Sequence, residues 1–137
     1  LNIKELAFRN FGELSGGQKK LVFIAQTLVR TPKLILMDEP VNSLDLQKQL
    51  ELCQLLEKVK EKEKVDIILI LHDINLACRY ADHVVIIDEN GEPFSSGLIH
   101  EAITEEMLEK VYGVKAEVNY DKKGIPLVSP LCSVRAV

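Results

Sequence analysis

Three short apolar runs constrain the fold of this 137-residue chain more than any other feature of its sequence. They are Leu34 to Met37, Ile67 to Leu71 and Val84 to Ile87, and each is continuous rather than alternating. Continuous runs of β-branched residues and leucine predict strands that are covered on both faces. Helical patterns lie before and between the first two runs, at Gln18 to Val29 and Leu46 to Val59. Strands that alternate with helices predict an α/β fold with a parallel sheet.

Each helical segment carries an apolar stripe at helical spacing, which predicts the face that packs on the sheet. The first stripe consists of Leu21, Ala25 and Leu28, and the second of Leu46, Leu50, Cys53 and Leu56. Lysine and glutamate alternate in positions 57–64, as expected of a helix end that lies in solvent.

Turn and cap signals organise the chain after the third run. Asp88 to Gly91 ends in Asn-Gly, which predicts a β-hairpin. Thr104 has the position of an N-cap before two glutamates, in a helix that should run to Tyr112 and stop at Gly113. Residues 120–124 predict a second turn, and the last stretch of chain is interpreted as structural.

Composition and charge exclude several classes of protein. A formal net charge of −4 without a basic block argues against a nucleic-acid surface, because phosphate binding needs clustered Lys and Arg. No apolar run approaches the roughly 20 residues of a membrane-spanning helix. Cys53, Cys78 and Cys132 are odd in number and widely spaced, which favours neither disulfides nor zinc but a reducing cytoplasm. The start at Leu1, without a signal sequence, is expected of the interior of a longer protein.

A glycine-containing motif, Leu14-Ser15-Gly16-Gly17-Gln18, stands directly before the first predicted helix. Unsatisfied N–H groups and the positive end of the helix dipole make such a position an anion site. Glycines allow a phosphate to approach the backbone, and the serine adds a hydroxyl donor. The same residues also fit a loop with an N-capping serine, and the motif alone leaves both interpretations open.

Gly12 and Gly17 have the spacing of a phosphate-binding loop, but the residues after them do not fit one. Gln18 occupies the lysine position of that motif, and Lys19 occupies its Ser/Thr position. No predicted strand precedes the segment either. We therefore reject it as a Walker A motif.

Two of the apolar runs end in residues that could take part in phosphate chemistry. Asp38 and Glu39 follow the first run, and His72 follows the second. Ligand sites form at the carboxyl edge of parallel sheets, where all three would meet. Asp38 could hold magnesium through water, Glu39 could polarise an attacking water, and His72 could bind a γ-phosphate oxygen. Taken singly, the carboxylates also fit helix caps or solvated strand ends, and the histidine also fits a structural role.

Four motifs occur in the same order as in the second half of an ABC-type ATPase. The chain resembles that half from about Leu6 to about Pro130. In chain order they are the signature, the Walker B strand with its catalytic glutamate, the D-loop and the switch histidine: Leu14 to Gln18, Leu34 to Glu39, Ser43 to Asp45 and His72. The resemblance implies a P-loop NTPase-like α/β fold, with helices flanking an incomplete parallel sheet and with a C-terminal hairpin and helix.

The resemblance also implies a head-to-tail dimer of two ABC ATPase subunits, with ATP and Mg²⁺ between them. Asp38 would be the metal-binding residue, and Glu39 and His72 would be catalytic toward the ATP of their own subunit. The residues implied to bind the partner's ATP or to lie at the dimer seam are Ser15, Gly16, Gly17, Gln18 and Asp45.

Softer patterns resemble one subgroup of the family. Leu71 to Ala77, Tyr80 to Asp82 and Val111 to Val114 are similar to the ATP-binding subunits of importers for iron-siderophore complexes, haem and cobalamin. This similarity implies integral membrane permease subunits as partners and no nucleic acid. It implies a cytoplasmic protein at the inner face of the cell membrane.

The sequence departs from the family pattern mainly in what it lacks. No Walker A loop is present, so we expect this chain alone neither to bind ATP tightly nor to hydrolyse it. The strand that leads into Walker A would neighbour the first two runs, and its absence should expose apolar surface and favour self-association. Val41 stands where the family commonly has threonine, a change expected to have a small effect.

The resemblance divides the chain into three segments of one ATPase domain. Residues 1–30 would end the helical subdomain and carry the signature, 31–88 would form the core from Walker B to the switch histidine, and 89–137 would form the hairpin, helix and tail. Two alternatives stay open. One is half of a DNA-repair or chromosome-maintenance ABC ATPase, which the lack of heptads in 1–13 disfavours. The other is a truncated, non-catalytic module that only binds a partner.

Overall fold

The computed structural model describes residues 3–134, in two compact units that divide between His72 and Asp73. The elements of the first unit are 3₁₀ turns at Lys4–Leu6 and Phe11–Glu13, helix α1 at Gly16–Val29, strand β1 at Leu34–Asp38, helix α2 at Leu46–Glu63 and strand β2 at Asp66–Ile70. The elements of the second unit are α3 at Ile74–Tyr80, β3 at His83–Ile87, β4 at Pro93–Leu98, α4 at Ile99–Ala102, α5 at Glu105–Met107 with a π-helical turn at Leu108–Tyr112, β5 at Val114–Tyr120 and β6 at Pro126–Ser133.

The first unit is built on a parallel pair of strands, as the sequence predicts. β1 and β2 pair in register from Leu34 opposite Asp66 to Asp38 opposite Ile70. The core cluster on one face consists of buried Ile35, Val59 and Val65, with Leu28, Met37, Leu55 and Ile67 packed against them. Helices α1 and α2 both contribute to this cluster and therefore cover the same face of the strand pair.

The other face of the strand pair is exposed, and here the prediction of strands covered on both faces is wrong. Leu36 is 69% exposed, Ile68 56% and Ile70 54%. The continuous apolar runs fit a doubly covered sheet, but within residues 3–134 the first unit places helices against one face only. The exposed apolar surface that we expected from the missing neighbouring strand is present.

Local signals position both helices of the first unit. α1 begins two residues before its predicted start, because Ser15 and Gln18 form a capping box. α2 begins after the Asp45 cap, and it ends where Lys64 adopts a left-handed conformation with φ of 52°. The predicted stripes are only partly right: Leu46 is 70% exposed, and Ile24 is the residue of α1 that is buried.

The second unit places the third apolar run in an antiparallel hairpin rather than a parallel pair. β3 pairs with β4, and the turn between them uses the predicted Asn-Gly pair. Asp88 Oδ1 accepts the N–H groups of Asn90 and Glu92 at 2.9 Å each, and Gly91 takes φ of 83°. The side-chain hydrogen bonds of Asp88 and the left-handed glycine thus favour this turn over a helical crossover.

The Thr104 helix forms as predicted, although its second half is π-helical. Thr104 Oγ accepts the N–H of Met107 at 3.1 Å, and Gly113 ends the helix with φ of 64°. The core cluster of the second unit surrounds this helix, where Leu108 is 1% exposed and Met107 2% exposed.

A β5–β6 hairpin occupies the stretch in which the sequence predicts only a turn, at residues 120–124. The two strands pair antiparallel from Val114 opposite Ser133 to Tyr120 opposite Pro126. Ala116 and Val128 are buried in the core of the second unit. The alternation of apolar and polar residues from 114 to 118 is the signal that would have predicted β5.

Asn75 joins α3 to this hairpin, which leads to a first prediction. Its Nδ2 donates to the carbonyl oxygen of Val128 at 3.1 Å, and its Oδ1 accepts the N–H of Val128 at 2.8 Å. Both bonds are partly buried, so Asn75→Ala should lower the free energy of unfolding by about 2–3 kcal/mol. Urea unfolding measures this, with Asn119→Ala at an exposed site of β5 as control. Equal losses in the two variants would contradict a special role for Asn75.

Candidate functional site

Glu39 leaves β1 in a conformation that few non-glycine residues adopt, with φ of 45°. Such conformations cost about 1–3 kcal/mol and persist only where the surrounding structure holds them. The Glu39 N–H donates to the carbonyl oxygen of Ile70 at 3.1 Å, and its own carbonyl accepts the N–H of Asn42 at 3.1 Å. The chain therefore turns immediately after β1, at the carboxyl end of the parallel strand pair.

Both carboxylate oxygens of Glu39 have partners. Oε1 contacts Nε2 of His72, and Oε2 accepts a hydrogen bond from Nδ2 of Asn42. The Glu39 side chain is 36% exposed and that of His72 is 72% exposed, so this group of three residues is open to solvent. An ionised carboxylate has about four acceptor positions, and two donors leave room for a water molecule. The arrangement can therefore hold an oriented base that water reaches.

The sequence predicted that Glu39 and His72 would meet at one edge of the sheet, and the structure brings their side chains into contact. Asn42 was missed as a partner of Glu39. Its distance of three residues from Glu39 gives no signal by itself, because the contact depends on the left-handed turn at Glu39.

Asp38 is the last residue of β1 and is exposed. Within residues 3–134, no three His, Cys, Asp or Glu side chains are placed to hold a metal ion together. A single exposed carboxylate nevertheless suits Mg²⁺, which is commonly held by one or two carboxylates while waters and substrate phosphates complete its coordination. The donor set at the end of β1 therefore fits a magnesium ion that is shared with a phosphate-bearing ligand.

The signature residues form the start of α1. Ser15 Oγ accepts the N–H of Gln18 at 3.3 Å, and the N–H of Ser15 donates to Gln18 Oε1 at 3.0 Å. The Lys19 N–H donates to the Ser15 carbonyl oxygen at 2.9 Å. The first N–H groups of a helix have no intrahelical acceptor. The capping box engages the N–H groups of Ser15 and Gln18 and does not use those of Gly16 and Gly17.

Within the described part of the chain, nothing in the structure requires glycine at positions 16 and 17. Both lie in α1, so neither supplies a left-handed turn. A Cβ at Gly16 would meet nothing within 4 Å, and one at Gly17 would lie 3.7 Å from Lys48 Cδ, an ordinary contact. Glycine weakens a helix by roughly 0.5–1 kcal/mol relative to alanine. Two glycines here fit close approach of a ligand to the free N–H groups.

Asp45 has a structural role that accounts for it without a ligand. It is the N-cap of α2, where Oδ1 accepts the N–H of Lys48 at 2.9 Å and Oδ2 lies 3.3 Å from Lys48 Nζ. This backbone hydrogen bond, followed by the Lys48 ammonium, lowers the pKa of the exposed Asp45 carboxyl. The cap accounts for an aspartate at this position, and the role of Asp45 at a dimer seam stays a prediction.

The start of α1 packs on the segment that joins Glu39 to α2. The Cβ position at Gly17 lies 3.8 Å from Leu44 Cδ2, and Lys20 Nζ donates to the carbonyl oxygens of Pro40 and Asn42. The structure thus connects the signature helix to the turn after Glu39. Sequence reasoning missed Lys20, since a lysine on a helix is ordinarily a solvated residue.

Known proteins that are similar to this chain include ABC transporter ATP-binding proteins. The family model described as ABC transporter matches residues 1–42. An ABC transporter ATP-binding protein of Methanocaldococcus jannaschii is 38% identical over 96% of this chain and 50% of its own length. The siderophore transport ATP-binding protein YusV of Bacillus subtilis, a probable assignment, is 39% identical over 93% of this chain and 46% of its own length. Other relatives are named for ferric enterobactin transport, in Escherichia coli, and for hemin import, in Aliivibrio fischeri.

A solved structure supports the same relationship at the level of the fold. An ABC transporter assigned to the metal-chelate type, in an inward-facing conformation, superposes with a TM-score of 0.84 and 27% identity. The superposition covers 95% of this chain and 53% of that one.

The α/β architecture and its solved neighbours define the chain as part of a P-loop NTPase-like fold. Within that class, the chain is similar to the ATP-binding proteins of the ABC transporter family. It spans about half the length of the curated relatives it matches, at 50% and 46% of the first two. No helix in residues 3–134 has the length and apolar character needed to cross a membrane.

Proposed function

We propose that the complete protein is the ATP-binding and ATP-hydrolysing subunit of an ABC transporter that imports an iron-siderophore, haem or cobalamin-type substrate. The observation that carries this proposal is the Glu39 carboxylate, held between His72 and Asn42 at the carboxyl end of a parallel strand pair. Phosphoryl transfer needs such a group, because its catalysis consists mainly of orienting the attacking water and stabilising charge.

Glu39 is the residue that orients and deprotonates the attacking water. Its two engaged oxygens fix the plane of the carboxylate, and its exposure lets water approach. Asn42 holds the Glu39 carboxylate at Oε2, and His72 holds it at Oε1. His72 is itself 72% exposed, so its ring can also donate to a phosphate oxygen of bound ATP.

Asp38 is the residue that would hold Mg²⁺, through water, while ATP phosphates complete the coordination. A bound Mg²⁺ supplies positive charge that neutralises the phosphate oxygens. The role of Asp38 in this chain is to keep one exposed carboxylate at the end of β1, beside Glu39 in sequence.

The signature residues serve the ATP of a second subunit in a head-to-tail dimer. The free N–H groups of Gly16 and Gly17 stand at the positive end of α1, where an anion is favoured. Ser15 can donate its hydroxyl hydrogen to a phosphate while its oxygen accepts from Gln18. Asp45, at the start of α2, lies at the seam between the subunits.

The substrate class and the partners follow from the relatives rather than from the geometry. YusV is named for siderophore transport, and other matching relatives are named for ferric enterobactin transport and for hemin import. The proposed partners are a second ATPase subunit and integral membrane permease subunits, with the protein on the cytoplasmic side of the membrane. Relatives named for transport, together with the net charge of −4, favour this function over a DNA-repair ATPase.

We predict that the complete protein hydrolyses ATP and that the isolated 137-residue chain neither hydrolyses it nor binds it with a Kd on the order of micromolar. The chain has no Walker A loop to supply the N–H cradle and the phosphate-binding lysine. Phosphate release measures the hydrolysis, and titration calorimetry with Mg-ATP measures the binding, on both proteins at equal concentration. Micromolar binding by the isolated chain would refute its predicted inactivity, and a complete protein that never hydrolyses ATP would favour a non-catalytic module.

A further inference from the structure

The segment between Glu39 and Asp45 is a strained turn that needs external support. Two of its non-glycine residues have positive φ, Glu39 at 45° and Ser43 at 63°. Within the turn, the Asn42 N–H donates to the Glu39 carbonyl oxygen at 3.1 Å, and the Leu44 N–H donates to that of Val41 at 3.2 Å. These two bonds are internal to the segment and do not attach it to the helices on either side.

Lys20 attaches the turn to α1. Its ammonium donates to the carbonyl oxygen of Asn42 at 2.8 Å and also to that of Pro40. Lys20 is half-buried, and this burial lowers the pKa of its ammonium. A desolvated cation is unfavourable unless it is hydrogen-bonded, and two carbonyl dipoles here supply that compensation.

Gln49 supports the same turn from α2. Its Nε2 donates to the carbonyl oxygen of Leu44 at 3.1 Å and lies 3.5 Å from that of Val41. Two side chains from two helices therefore bind alternate carbonyl groups along the turn. The support by Lys20 is the stronger of the two, because charge-assisted hydrogen bonds exceed neutral ones roughly twofold.

We propose that Lys20 is a positioning residue, which ties the signature helix to the turn that carries Glu39 and Asn42 and so holds the catalytic carboxylate in place. Asn42 is bound at both ends: its carbonyl oxygen accepts from Lys20, and its side chain donates to Glu39. A displacement of α1 is thereby transmitted to the Glu39 carboxylate through one residue. The catalytic part of this inference rests on the proposed function, whereas the support of the turn does not.

The experiment replaces Lys20 by methionine in the complete protein, with Lys19→Met as the matched control. Lys19 is the neighbouring lysine of α1, but its ammonium lies over the Phe11 ring, 5.4 Å from the centroid. Hydrogen–deuterium exchange of a peptide spanning 39–45 should accelerate about 10-fold in Lys20→Met and stay unchanged in Lys19→Met. Lys20→Arg, which retains the charge and the donors, should restore slow exchange.

ATP turnover is measured on the same variants. Lys20→Met should lower kcat about 10-fold and leave KM for ATP within about 2-fold, because Glu39 acts on the transition state. Unchanged exchange in Lys20→Met overturns the proposal, and so does faster exchange with unchanged kcat. If exchange accelerates throughout the protein in Lys20→Met, the variant is generally destabilised. Lys20→Gln is then used in its place, and the same two outcomes would overturn the proposal. Undiminished turnover by Glu39→Gln would overturn the catalytic role of Glu39, and absence of ATP turnover in the unsubstituted complete protein would overturn the proposed function. In either case the exchange data would still decide whether Lys20 supports the turn.

Discussion

Glu39→Gln in the complete protein is expected to lower ATP turnover by about 10²- to 10³-fold while ATP binding is retained. Glutamine has almost the shape of glutamate, but its amide cannot accept a proton from the attacking water. The substitution also changes one contact. Asn42 and Nε2 of His72 each face one carboxylate oxygen of Glu39, and glutamine replaces one of these oxygens with an NH₂ group. His72 can compensate by presenting an unprotonated Nε2 to the new amide, so the backbone turn should survive.

The measurement is steady-state turnover beside ATP binding, with Glu57→Gln as control at an exposed position of α2. The control should keep its turnover within about 2-fold. Retained turnover in Glu39→Gln would show that another group activates water. Loss of ATP binding together with turnover would instead indicate that Glu39 maintains the site rather than the chemistry.

The sequence predicted the strands and turns whose signals are local. β1 and β2 lie within one residue of the predicted runs, and the Asp88 turn and the Thr104 cap form as expected. These features depend on the conformational preferences of a few adjacent residues. What covers a strand depends on residues distant in sequence, so the pattern could not reveal that Leu36 and Ile68 are exposed.

The same limit applies to the candidate site. The strand ends predicted that Glu39 and His72 would meet, because parallel strands bring their carboxyl ends to one edge. The contacts of Asn42 and Lys20 depend on the left-handed turn at Glu39. The residue types do not predict this turn, because non-glycine residues seldom adopt a left-handed conformation. Such strained positions are expected where function constrains the chain.

Two of the predicted ligand-binding residues also cap helices, which affects how they can be tested. Ser15 caps α1 and Asp45 caps α2, and removal of an N-cap costs about 0.5–2 kcal/mol of stability. Loss of activity in an alanine variant would therefore mix folding with function. Ser15→Asn or Asp45→Asn retains a capping acceptor and separates the two effects.

The exposed face of the β1–β2 pair carries apolar residues through which copies of the isolated chain can associate. Leu36 and Ile68 are paired across the strands, and Ile70 follows on the same face. Leu36 and Ile68 form an apolar pair across two strands, whereas in β3 the exposed Val85 stands opposite the polar Ser96. Association between copies of the chain would bury the apolar surface of the β1–β2 pair and is favoured by roughly 25 cal/mol per Å².

We therefore expect the isolated chain to self-associate at concentrations on the order of micromolar, and the double variant Leu36→Thr/Ile68→Thr to weaken the association by about 100-fold or more. Threonine keeps the β-branched shape that suits a strand, so the fold should be retained. Sedimentation velocity over a range of concentrations measures this, with Val85→Thr/Ile87→Thr as the matched control in β3. A wild-type chain that stays monomeric, or equal effects of the two double variants, would contradict association through this face.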